Sequence, residues 1–405
     1  MKLINLSYIV LLFLLFACVG NETIENGTKK ISFSKNKNTL FTLLSKEDSG
    51  FYFLNEVNQT EDVNVLTYEN FFNGAGVGIG DINNDGLPDV FMTGNLFGGR
   101  LYLNKGDLKF EQISESANIF IPGFTTDVSF VDINNDGFQD IYLCRSLTID
   151  PESRKNVLFI NNKDNTFTNM ADAYGVADTG YSNQSTFFDY DNDGDLDLFV
   201  MNHRKDFENA QTIYQTDTAK GNVVPGHSFW DDASADKLYR NNGNNSFTDV
   251  TKKSKIINND FSLSTLATDL NNDGLIDLYI SNDFVSVDHA YINKGNGVFK
   301  DEIESMFAHI PLSAMGSDIA DINNDGFLDL FNVDMTPEDN FRQKQQKAEG
   351  TFDNTKLAEN YGFHRQVSRN MLQLNNGDGT FSEIGQLANV AYTDWSWSPL
   401  FADFD

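Results

Sequence analysis

The sequence predicts an all-β protein, a β-propeller of four-stranded antiparallel blades. A nine-residue acidic string occurs five times in the 405 residues, and a second signature, with Asn and Phe six residues apart, follows each copy. From each Phe to the first Asp of the next string there are 22 residues in every case. A long repeat with fixed internal spacing is typical of propellers and solenoids.

Each repeat contains four predicted strands, which we name A to D. Strand A leads into the acidic loop, as in VGIGD, and strand B leaves it as a short apolar run, as in DIYLC. Strand C is the LYLN segment, and strand D begins near the Phe after a Gly-containing turn. Small residues crowd strand A at 74–80, which fits an innermost strand beside a central channel. A β-solenoid is the alternative, but its rungs are shorter and tolerate size changes less easily.

All length variation falls between the acidic loop and the Asn, in the B–C connection. From the first Asp of the loop this step measures 23, 29, 52, 24 and 54 residues in the five repeats. The final 22-residue step ends at Asp403, so we expect a chain truncated inside a sixth loop. The predicted propeller spans 51–405, with blades at about 73–120, 121–178, 179–258, 259–310 and 311–388 and the start of a sixth at 389–405.

The composition indicates a globular protein whose partners are cations or basic surfaces. The formal charge is −30, with 59 acidic against 29 basic residues, which argues against nucleic-acid phosphates as partners. The five loops alone hold 17 of the 59 acids. A content of 40% hydrophobic and 13% aromatic residues excludes an acidic disordered chain.

The N-terminus predicts export and lipidation. Its apolar run, from Tyr8 to Ala17, is too short to span a bilayer and suits a signal peptide. Leu15-Phe16-Ala17-Cys18 resembles a bacterial lipobox, so we expect a signal peptide at 1–17, lipidation of Cys18 and a tether at 18–50. An ordinary secretory signal is the alternative. The expected location is the bacterial cell envelope, as an outer-membrane lipoprotein that is surface-exposed or faces the periplasm and touches the membrane through its lipid only.

The acidic loop has the oxygen-only ligand set of a hard cation. Counted from its first Asp, it carries side-chain oxygens at positions 1, 3, 5 and 9, a Gly at 6, and a usable backbone carbonyl at 7. Such chemistry suits Ca²⁺, whereas zinc would require His or Cys, which no loop contains. The only cysteine besides Cys18 is Cys144, so no disulfide can form once Cys18 is lipidated. Bound metal is another way to stabilise a secreted domain.

Two other interpretations of the loop are an EF-hand and a metal-free hairpin turn. An EF-hand would place Glu at position 12, where the loops have Met92, Leu143, Val200, Ile280 and Asn332. A metal-free hairpin turn would also favour Asp, Asn and Gly. Five copies with Asp at positions 1, 5 and 9 favour calcium, because a turn alone does not demand Asp at the start of strand B.

These motifs resemble the FG-GAP/VCBS repeats of integrin-α-type propellers, over about residues 50–405. The wider sequence, including YENFFNGAGVGIGDINNDGLPD and VDMTPEDNFRQKQ, is similar to bacterial lipoproteins related to cartilage acidic protein, which often end in an ASPIC/UnbV domain. No such domain follows here, which fits truncation. The resemblance implies no reaction, but it implies about one calcium ion per loop, held at positions 1, 3, 5, 7 and 9. The implied ligands are Asp81, Asn83, Asp85, Leu87, Asp89, Asp132, Asn134, Asp136, Phe138, Asp140, Asp189, Asp191, Asp193, Asp195, Asp197, Asp269, Asn271, Asp273, Leu275, Asp277, Asp321, Asn323, Asp325, Phe327 and Asp329.

The expected function is a calcium-stabilised surface propeller that binds a glycan or a protein and catalyses no reaction. A polysaccharide-degrading enzyme on the same propeller is one alternative, and a structural subunit of an outer-membrane complex is another. The sequence shows no nucleophile triad, phosphate loop or zinc motif, and its five His lack ligand spacing.

The predicted partner-binding face lies opposite the acidic loops. In an up-and-down blade the A–B and C–D turns share one face, and the B–C and D–A connections share the other. The two long B–C connections, at about 202–236 and 334–369, bring aromatic residues beside arginines, as sugar stacking or a protein hot spot would require. Thr336-Pro337-Glu338-Asp339 predicts a helix with Thr336 as its cap. The candidates are Tyr214, Phe229, Trp230, Arg342, Tyr361 and Arg365, joined by His203 and Arg204; packing of the connections onto the ring is the alternative role.

Overall fold

The computed structural model describes residues 41–121, 123–205, 231–346 and 352–403, and the strand backbones at 24–25, 28–29, 214–217 and 222–225. The predicted signal peptide, Cys18 and most of the tether lie outside the described residues. The chain divides into two units, Met1–Ser45 and Lys46–Asp405. In the first, β1 (Ile24–Glu25) pairs antiparallel with β2 (Thr28–Lys29). No helix among the described residues is both long enough and apolar enough to cross a membrane.

Five four-stranded antiparallel sheets form the second unit, each in the order A-B-C-D. Their strands are β3 (Val77–Gly80), β4 (Asp89–Met92), β5 (Arg100–Asn104) and β6 (Phe110–Gln112); β7 (Phe124–Val131), β8 (Asp140–Ser146), β9 (Val157–Asn161) and β10 (Phe167–Asn169); β11 (Ser182–Phe188), β12 (Asp197–Asn202), β15 (Lys237–Asn241) and β16 (Phe247–Asp249); β17 (Ser262–Thr268), β18 (Asp277–Asn282), β19 (His289–Asn293) and β20 (Phe299–Asp301); β22 (Gly316–Ala320), β23 (Asp329–Val333), β25 (Met371–Asn375) and β26 (Phe381–Glu383). Two smaller sheets join β13 (Tyr214–Asp217) with β14 (Asn222–Pro225), and β21 (Ile310–Pro311) with β24 (Gln366–Val367).

The helices are short and occupy the connections. They are α1 (Lys46–Ser49), α2 (Ala171–Tyr174), α3 (Thr251–Ser254), α4 (Ile303–Met306), α5 (Asn340–Gln345) and α6 (Phe352–Asn360), with 3-10 turns at Glu69–Phe72 and Pro151–Arg154. α2, α3 and α4 each follow a strand D, whereas α5 and α6 lie in the longest B–C connection.

Consecutive sheets are arranged as blades of a β-propeller with strand A innermost. β3 lies beside β7, β7 beside β11, β11 beside β17, and β17 beside β22. Hydrogen bonds link these strands, as from Thr126 Oγ1 to Ser182 O at 2.8 Å. A Cβ at Gly78 would lie 2.8 Å from the Phe130 ring, which explains the small residues of the first strand A. The predicted all-β propeller of four-stranded blades is confirmed.

Four of the five hydrophobic clusters each belong to two consecutive blades, and the fifth joins Tyr68 and Phe71, which precede blade 1, to Phe124 of blade 2. In the first cluster, Phe91 and Leu101 of blade 1 join Ile141 and Phe159 of blade 2. In blades 2 to 5 the residue two positions before the loop packs from strand A against the cluster shared with the preceding blade; these residues are Phe130, Phe187, Ala267 and Ile319. Burying a Phe or Ile side chain stabilises the fold by about 2 kcal/mol, so much of the stability comes from neighbouring blades.

Each blade has a loop face and a connection face. We call the side with the A–B loops and C–D turns the loop face, and the side with the B–C and D–A connections the connection face. In blades 3 and 5 the position-7 side chain approaches the C–D turn of its own blade: a Cβ at Gly243 would lie 3.0 Å from Asp195 Oδ2, and one at Gly377 would lie 2.9 Å from the Phe327 ring. Loop and turn therefore pack together.

The helix on the connection face begins later than expected. α5 starts at Asn340, and the Asp339 carboxylate caps it by accepting the N–H of Arg342 at 2.8 Å. Thr336 Oγ1 instead donates to Ser368 O at 3.0 Å, which ties the start of the connection to its end. The prediction of Thr336 as the cap is wrong, because its hydroxyl is used across the connection and Asp339 is left to cap the helix.

Candidate functional site

All five acidic loops follow the same backbone path. The Asn at position 4 is left-handed in each, with φ between 56° and 62°, and the Gly at position 6 has φ between 83° and 92°. Asn tolerates this conformation better than most residues, which accounts for its presence in every loop. Nothing lies within 4 Å of a Cβ built on Gly86, so the conformation rather than lack of space requires glycine there.

The carboxylate at position 1 organises the loop. In the first loop, Asp81 Oδ1 accepts the N–H of Asp85 at 3.2 Å, and Oδ2 accepts the N–H of Gly86 at 2.8 Å. Both bonds recur in the other four loops. The oxygen at position 5 accepts the N–H of position 7 in all five. These acidic side chains are therefore gathered around one short stretch of backbone.

The Asp at position 9 is fully buried and makes two hydrogen bonds that require both carboxylate oxygens. Asp140 Oδ2 accepts the N–H of Ile133, at position 2, at 3.2 Å. Its Oδ1 accepts the N–H of Asn161, at the end of strand C, at 2.8 Å. The same pair forms at Asp89, Asp197, Asp277 and Asp329. Asp is thus required here by the backbone, because Asn offers a single acceptor oxygen.

The electrostatics of the loops favour a bound cation. Burial raises the pKa of the position-9 carboxyls, to about 7 for Asp140 and Asp197 and about 6 for Asp277, while their N–H bonds lower it. The carboxylates at positions 1 and 5 raise the pKa of Asp140 and Asp277 further. A divalent cation among these groups would reverse this effect by offsetting their mutual repulsion.

The third loop brings three carboxylates together. Oxygens of Asp189, Asp191 and Asp197, at positions 1, 3 and 9, lie within 4.8 Å of one another, in the one such group of three acids, His or Cys among the described residues. Asp193 and Asp195, at positions 5 and 7, do not belong to this group. Elsewhere position 3 is Asn, and Asn83 Nδ2 donates to Asp85 Oδ2 at 3.1 Å.

The Asn at the end of strand C has a role that its spacing alone did not reveal. Asn161 Nδ2 donates to Gln139 O, at position 8 of its own loop, and to Ile82 O, at position 2 of the preceding loop. Asn293 and Asn375 make the same bond to the preceding loop, at Tyr190 O and Leu270 O. This Asn therefore fastens each of these three loops to the one before it.

The connection face holds the predicted partner-binding residues in different environments. The side chains of Tyr214, Phe229 and Trp230 lie outside the described residues. Tyr361 is half-buried after α6, and Arg365 is exposed. His203 and Arg204 are buried, and burial lowers the pKa of His203 to about 4. These two therefore pack the connection onto the blades, as the alternative interpretation held.

Arg342 is already paired. Its guanidinium makes two bonds to the Asp394 carboxylate, one of them 3.1 Å long. This pair joins α5 to the segment that leads toward Asp403, and the N–H of Asp394 donates to Thr336 O at 3.2 Å. Because this ion pair occupies the Arg342 guanidinium, the geometry does not support the prediction that Arg342 contacts a partner directly. The pair instead helps to position the residues beside Arg342.

A cleft of about 560 Å³ opens beside this pair on the connection face. Its lining includes Tyr392 and Trp395 as well as Asn340, Gln343 and Lys344 of α5. Asp334 also lines it but is almost fully buried, and its carboxylate accepts the N–H groups of neighbouring residues. Trp395 was not a predicted site residue, although its segment, YTDWSWSPL, contains two of the three Trp of the chain and signals an unusual surface.

The chain is similar to the FG-GAP-like repeat over three segments, which together cover less than half of its 405 residues. The profile of that repeat matches residues 81–143, 147–200 and 269–331. The first and third matches begin at the first Asp of an acidic loop, and the second begins directly after strand β8. Among curated proteins, none matches the chain.

Two solved structures illustrate the fold that the chain is similar to. One is a lectin of Agrocybe aegerita that recognises non-reducing terminal N-acetylglucosamine, with 17% identity, a TM-score of 0.41 and coverage of 75% of this chain and 64% of the lectin. The other is the V. cholerae biofilm matrix protein Bap1, with 12% identity, a TM-score of 0.36 and coverage of 76% of this chain and 38% of Bap1. The chain thus spans less than two thirds of either protein.

Proposed function

We propose that this FG-GAP-repeat propeller is a calcium-stabilised surface protein that binds a glycan or protein through its connection face and catalyses no reaction. Its place in the envelope follows from the predicted lipidation of Cys18. The five loops, which share one backbone path, carry the calcium part of the proposal, and the variable B–C connections carry the binding part.

The third loop supports calcium most directly. Two oxygens that bind one Ca²⁺ at about 2.3–2.6 Å can be no more than about 5 Å apart. The oxygens of Asp189, Asp191 and Asp197 meet this limit at 4.8 Å, and all are carboxylate oxygens. In the other loops Asn at position 3 offers a neutral oxygen in place of the second acid. Calcium would offset the repulsion among the acidic side chains of each loop and so stabilise the A–B hairpin.

The calcium proposal is tested by thermal unfolding. The intact protein is melted in EDTA and again after addition of excess Ca²⁺ or Mg²⁺. Because a cation that binds only the folded state stabilises it, we expect EDTA to lower the melting temperature by many degrees and Ca²⁺ to restore it more fully than Mg²⁺. An unchanged melt in EDTA, in protein shown by metal analysis to hold none beforehand, would refute calcium stabilisation.

The binding proposal is tested by shortening the connections separately. One variant replaces 207–230 with a short Gly-Ser linker, which removes Tyr214, Phe229 and Trp230 but spares Ala233, whose carbonyl accepts the N–H of Tyr181 at 2.9 Å. A second replaces 340–364 and carries Arg365→Ala, which spares the pairing of β21 with β24. We expect at least one variant to lose capture of partners from solubilised envelopes while its calcium-dependent melt persists. Capture that survives in both variants would place the binding surface elsewhere, and release of reducing sugar by the intact protein would favour the enzyme.

A further inference from the structure

We propose that Lys163 is an internal counter-ion of the second acidic loop and makes that loop the last of the five to bind calcium. This inference rests on the proposed function, since it ranks the calcium sites that the function requires. The observations that carry it are an ammonium group beside an expected ligand, a hydrogen bond that this ammonium replaces, and a lysine in a backbone conformation that favours glycine.

The Lys163 ammonium lies beside a carboxylate of the second loop. Its Nζ is 3.4 Å from Asp136 Oδ2, at position 5, and 3.5 Å from the Asp136 carbonyl oxygen. It is also 5.1 Å from the centre of the Phe138 ring, at position 7, which adds a cation–π attraction. Among the described residues, Asp136 is the one loop carboxylate within 4 Å of a Lys or Arg nitrogen. The second loop therefore already holds a positive charge.

This ammonium takes the place of a hydrogen bond that three other loops contain. In the first, fourth and fifth loops, the Asn amide at position 3 donates to the position-5 Oδ2 at 2.8–3.1 Å. In the second loop the same oxygen of Asp136 is paired with Lys163 instead. One carboxylate oxygen thus faces a neutral amide in three loops and a full positive charge in the second.

Lys163 stands where the other four blades have glycine. The second residue after the strand C Asn has a positive φ in every C–D turn, and it is Gly106, Gly243, Gly295 and Gly377 in blades 1, 3, 4 and 5. Lys163 has a φ of 68°, in the left-handed region that a Cβ makes unfavourable. A residue kept in an unfavourable conformation indicates that its side chain has a role, and this side chain reaches the loop.

Comparable cations in other blades point away from the loops. Lys105 and Lys294 lie in the C–D turns of blades 1 and 4, one residue before the glycine. Their Nζ atoms are each 3.5 Å from an acid in or just after strand D, which is Glu111 for Lys105 and Glu302 for Lys294. An ammonium paired with a loop carboxylate is therefore particular to blade 2 and is not a general feature of the repeat.

A positive charge at this distance opposes the entry of a second one. Calcium needs the position-5 oxygen as a ligand, so it must displace the ammonium or bind beside it against like-charge repulsion. Without calcium, the same ammonium offsets the repulsion among Asp132, Asp136 and Asp140. Because the Lys163 side chain is 47% exposed, water screens these effects, and we expect the calcium affinity to be several-fold weaker rather than lost.

The test follows each loop separately by NMR in the intact protein with isotopically labelled glycine, at free Ca²⁺ concentrations set by a chelator. The position-6 glycine donates its N–H to the position-1 carboxylate in every loop, so its amide peak reports the filling of its own loop. An Asp→Asn change at position 1, such as Asp132→Asn for Gly137, identifies each peak. We expect Gly137 to respond at the highest free Ca²⁺ of the five, and Lys163→Gln to lower its midpoint about fivefold.

Lys294→Gln is the matched control, because Lys294 lies in the corresponding turn of blade 4 but pairs with Glu302. All five midpoints should stay within about twofold in that variant. Lys163→Gly, which restores the residue of the other turns, should lower the Gly137 midpoint as Lys163→Gln does. An unchanged Gly137 midpoint in Lys163→Gln overturns the inference, even where Lys163→Gly lowers it, because backbone conformation rather than charge would then set the affinity.

The same titration separates this inference from the proposed function. If the five glycine peaks respond to Ca²⁺ but Gly137 is not the last of them, calcium stabilisation stands and this inference alone fails. If none of the five peaks responds to Ca²⁺, the calcium part of the proposed function fails, and this inference fails with it.

Discussion

At both ends of a blade a side chain accepts the backbone N–H of a neighbouring strand, but the side chains used at the two ends differ. On the loop face, Asp at position 9 accepts the N–H of the last residue of strand C in all five blades. On the connection face, the residue just before strand C accepts the N–H of a residue at or next to the end of strand B. That residue is Asn156, Asp236, Asp288 or Asn370 in blades 2 to 5.

The second atom of each side chain explains the difference. Asp236 Oδ2 accepts from Asn258 Nδ2, and Asp288 Oδ2 accepts from the Tyr279 hydroxyl, so a side chain with two acceptor oxygens is needed. Asn370 Nδ2 instead donates to Val390 O, so an amide is needed. The connection face can exchange Asp and Asn because its neighbours vary, whereas the loop face always presents two N–H groups and always uses Asp.

The largest effect is expected at position 9. Asp140→Ala leaves the buried N–H groups of Ile133 and Asn161 without acceptors, so we expect the free energy of unfolding to fall by about 3 kcal/mol, even in EDTA. Asp140→Asn keeps one acceptor and should cost less. Urea unfolding of both variants in EDTA measures the difference, and an Asp140→Ala variant as stable as the parent there would show that Asp140 matters only through a cation.

The next prediction compares the stability contributed by a hydrogen bond between blades with that of a hydrogen bond within one blade. Asn161 reaches the preceding loop at Ile82 O, whereas Asn104 of blade 1 bonds Pro88 O in its own loop and the N–H of Gly106. We expect Asn161→Ala to lower the free energy of unfolding by about 1 kcal/mol more than Asn104→Ala, because the additional bond is buried. Urea unfolding in saturating Ca²⁺ compares the two, and equal losses would contradict a role in joining blades.

A pH effect is expected on the connection face. Burial raises the pKa of Asp236 to about 8, from 3.8, against its two hydrogen bonds. The folded state therefore favours the protonated form, and the stability that Asp236 contributes is fully present below about pH 4 and lost as pH rises through about 8. Asp236→Asn should be less sensitive to pH than the parent between 5 and 8.5, and Asn370→Asp more sensitive. Urea midpoints across this range provide the measurement, and parallel pH curves for all three proteins would contradict the prediction.

The smallest effect concerns the ranking of the loops. The third loop has Asp at position 3 where the first has Asn, so Asp191→Asn should weaken its calcium affinity by roughly tenfold and Asn83→Asp should strengthen that of the first loop. Calorimetric titration of the calcium-free proteins would resolve both changes. If the tightest site keeps its affinity in Asp191→Asn, the third loop is not the tightest.

The period of the sequence predicts the blades well, because each repeat carries its own loop, turn and strand pattern. It also identifies the loops, since Asp, Asn and Gly stand where the backbone demands acceptors and positive φ. It does not reveal that Asp at position 9 serves the backbone, because that bond involves Asn161, 21 residues away. Nor does it predict α5 correctly, since the bond between Thr336 and Ser368 spans 32 residues.

The cleft could not be predicted for the same reason. Its lining comes from α5 and from the segment of Trp395, and a short list of aromatic and arginine residues in one connection cannot show which other segment lies beside it. The sequence therefore pointed to Arg342 rather than to its neighbours. Arg342 faces Asp394, while Gln343 and Lys344 face the cleft.

The bond from Asn161 to Ile82 O also bears on how such a chain can lengthen over generations. Each of these joints has its donor in one repeat and its acceptor in the repeat before. A duplicated repeat thus arrives already able to join the copy on either side, with no new residue to be acquired. Gene duplication of whole units is therefore a conservative change for this architecture, whereas a break inside a unit separates a donor from the loop it holds.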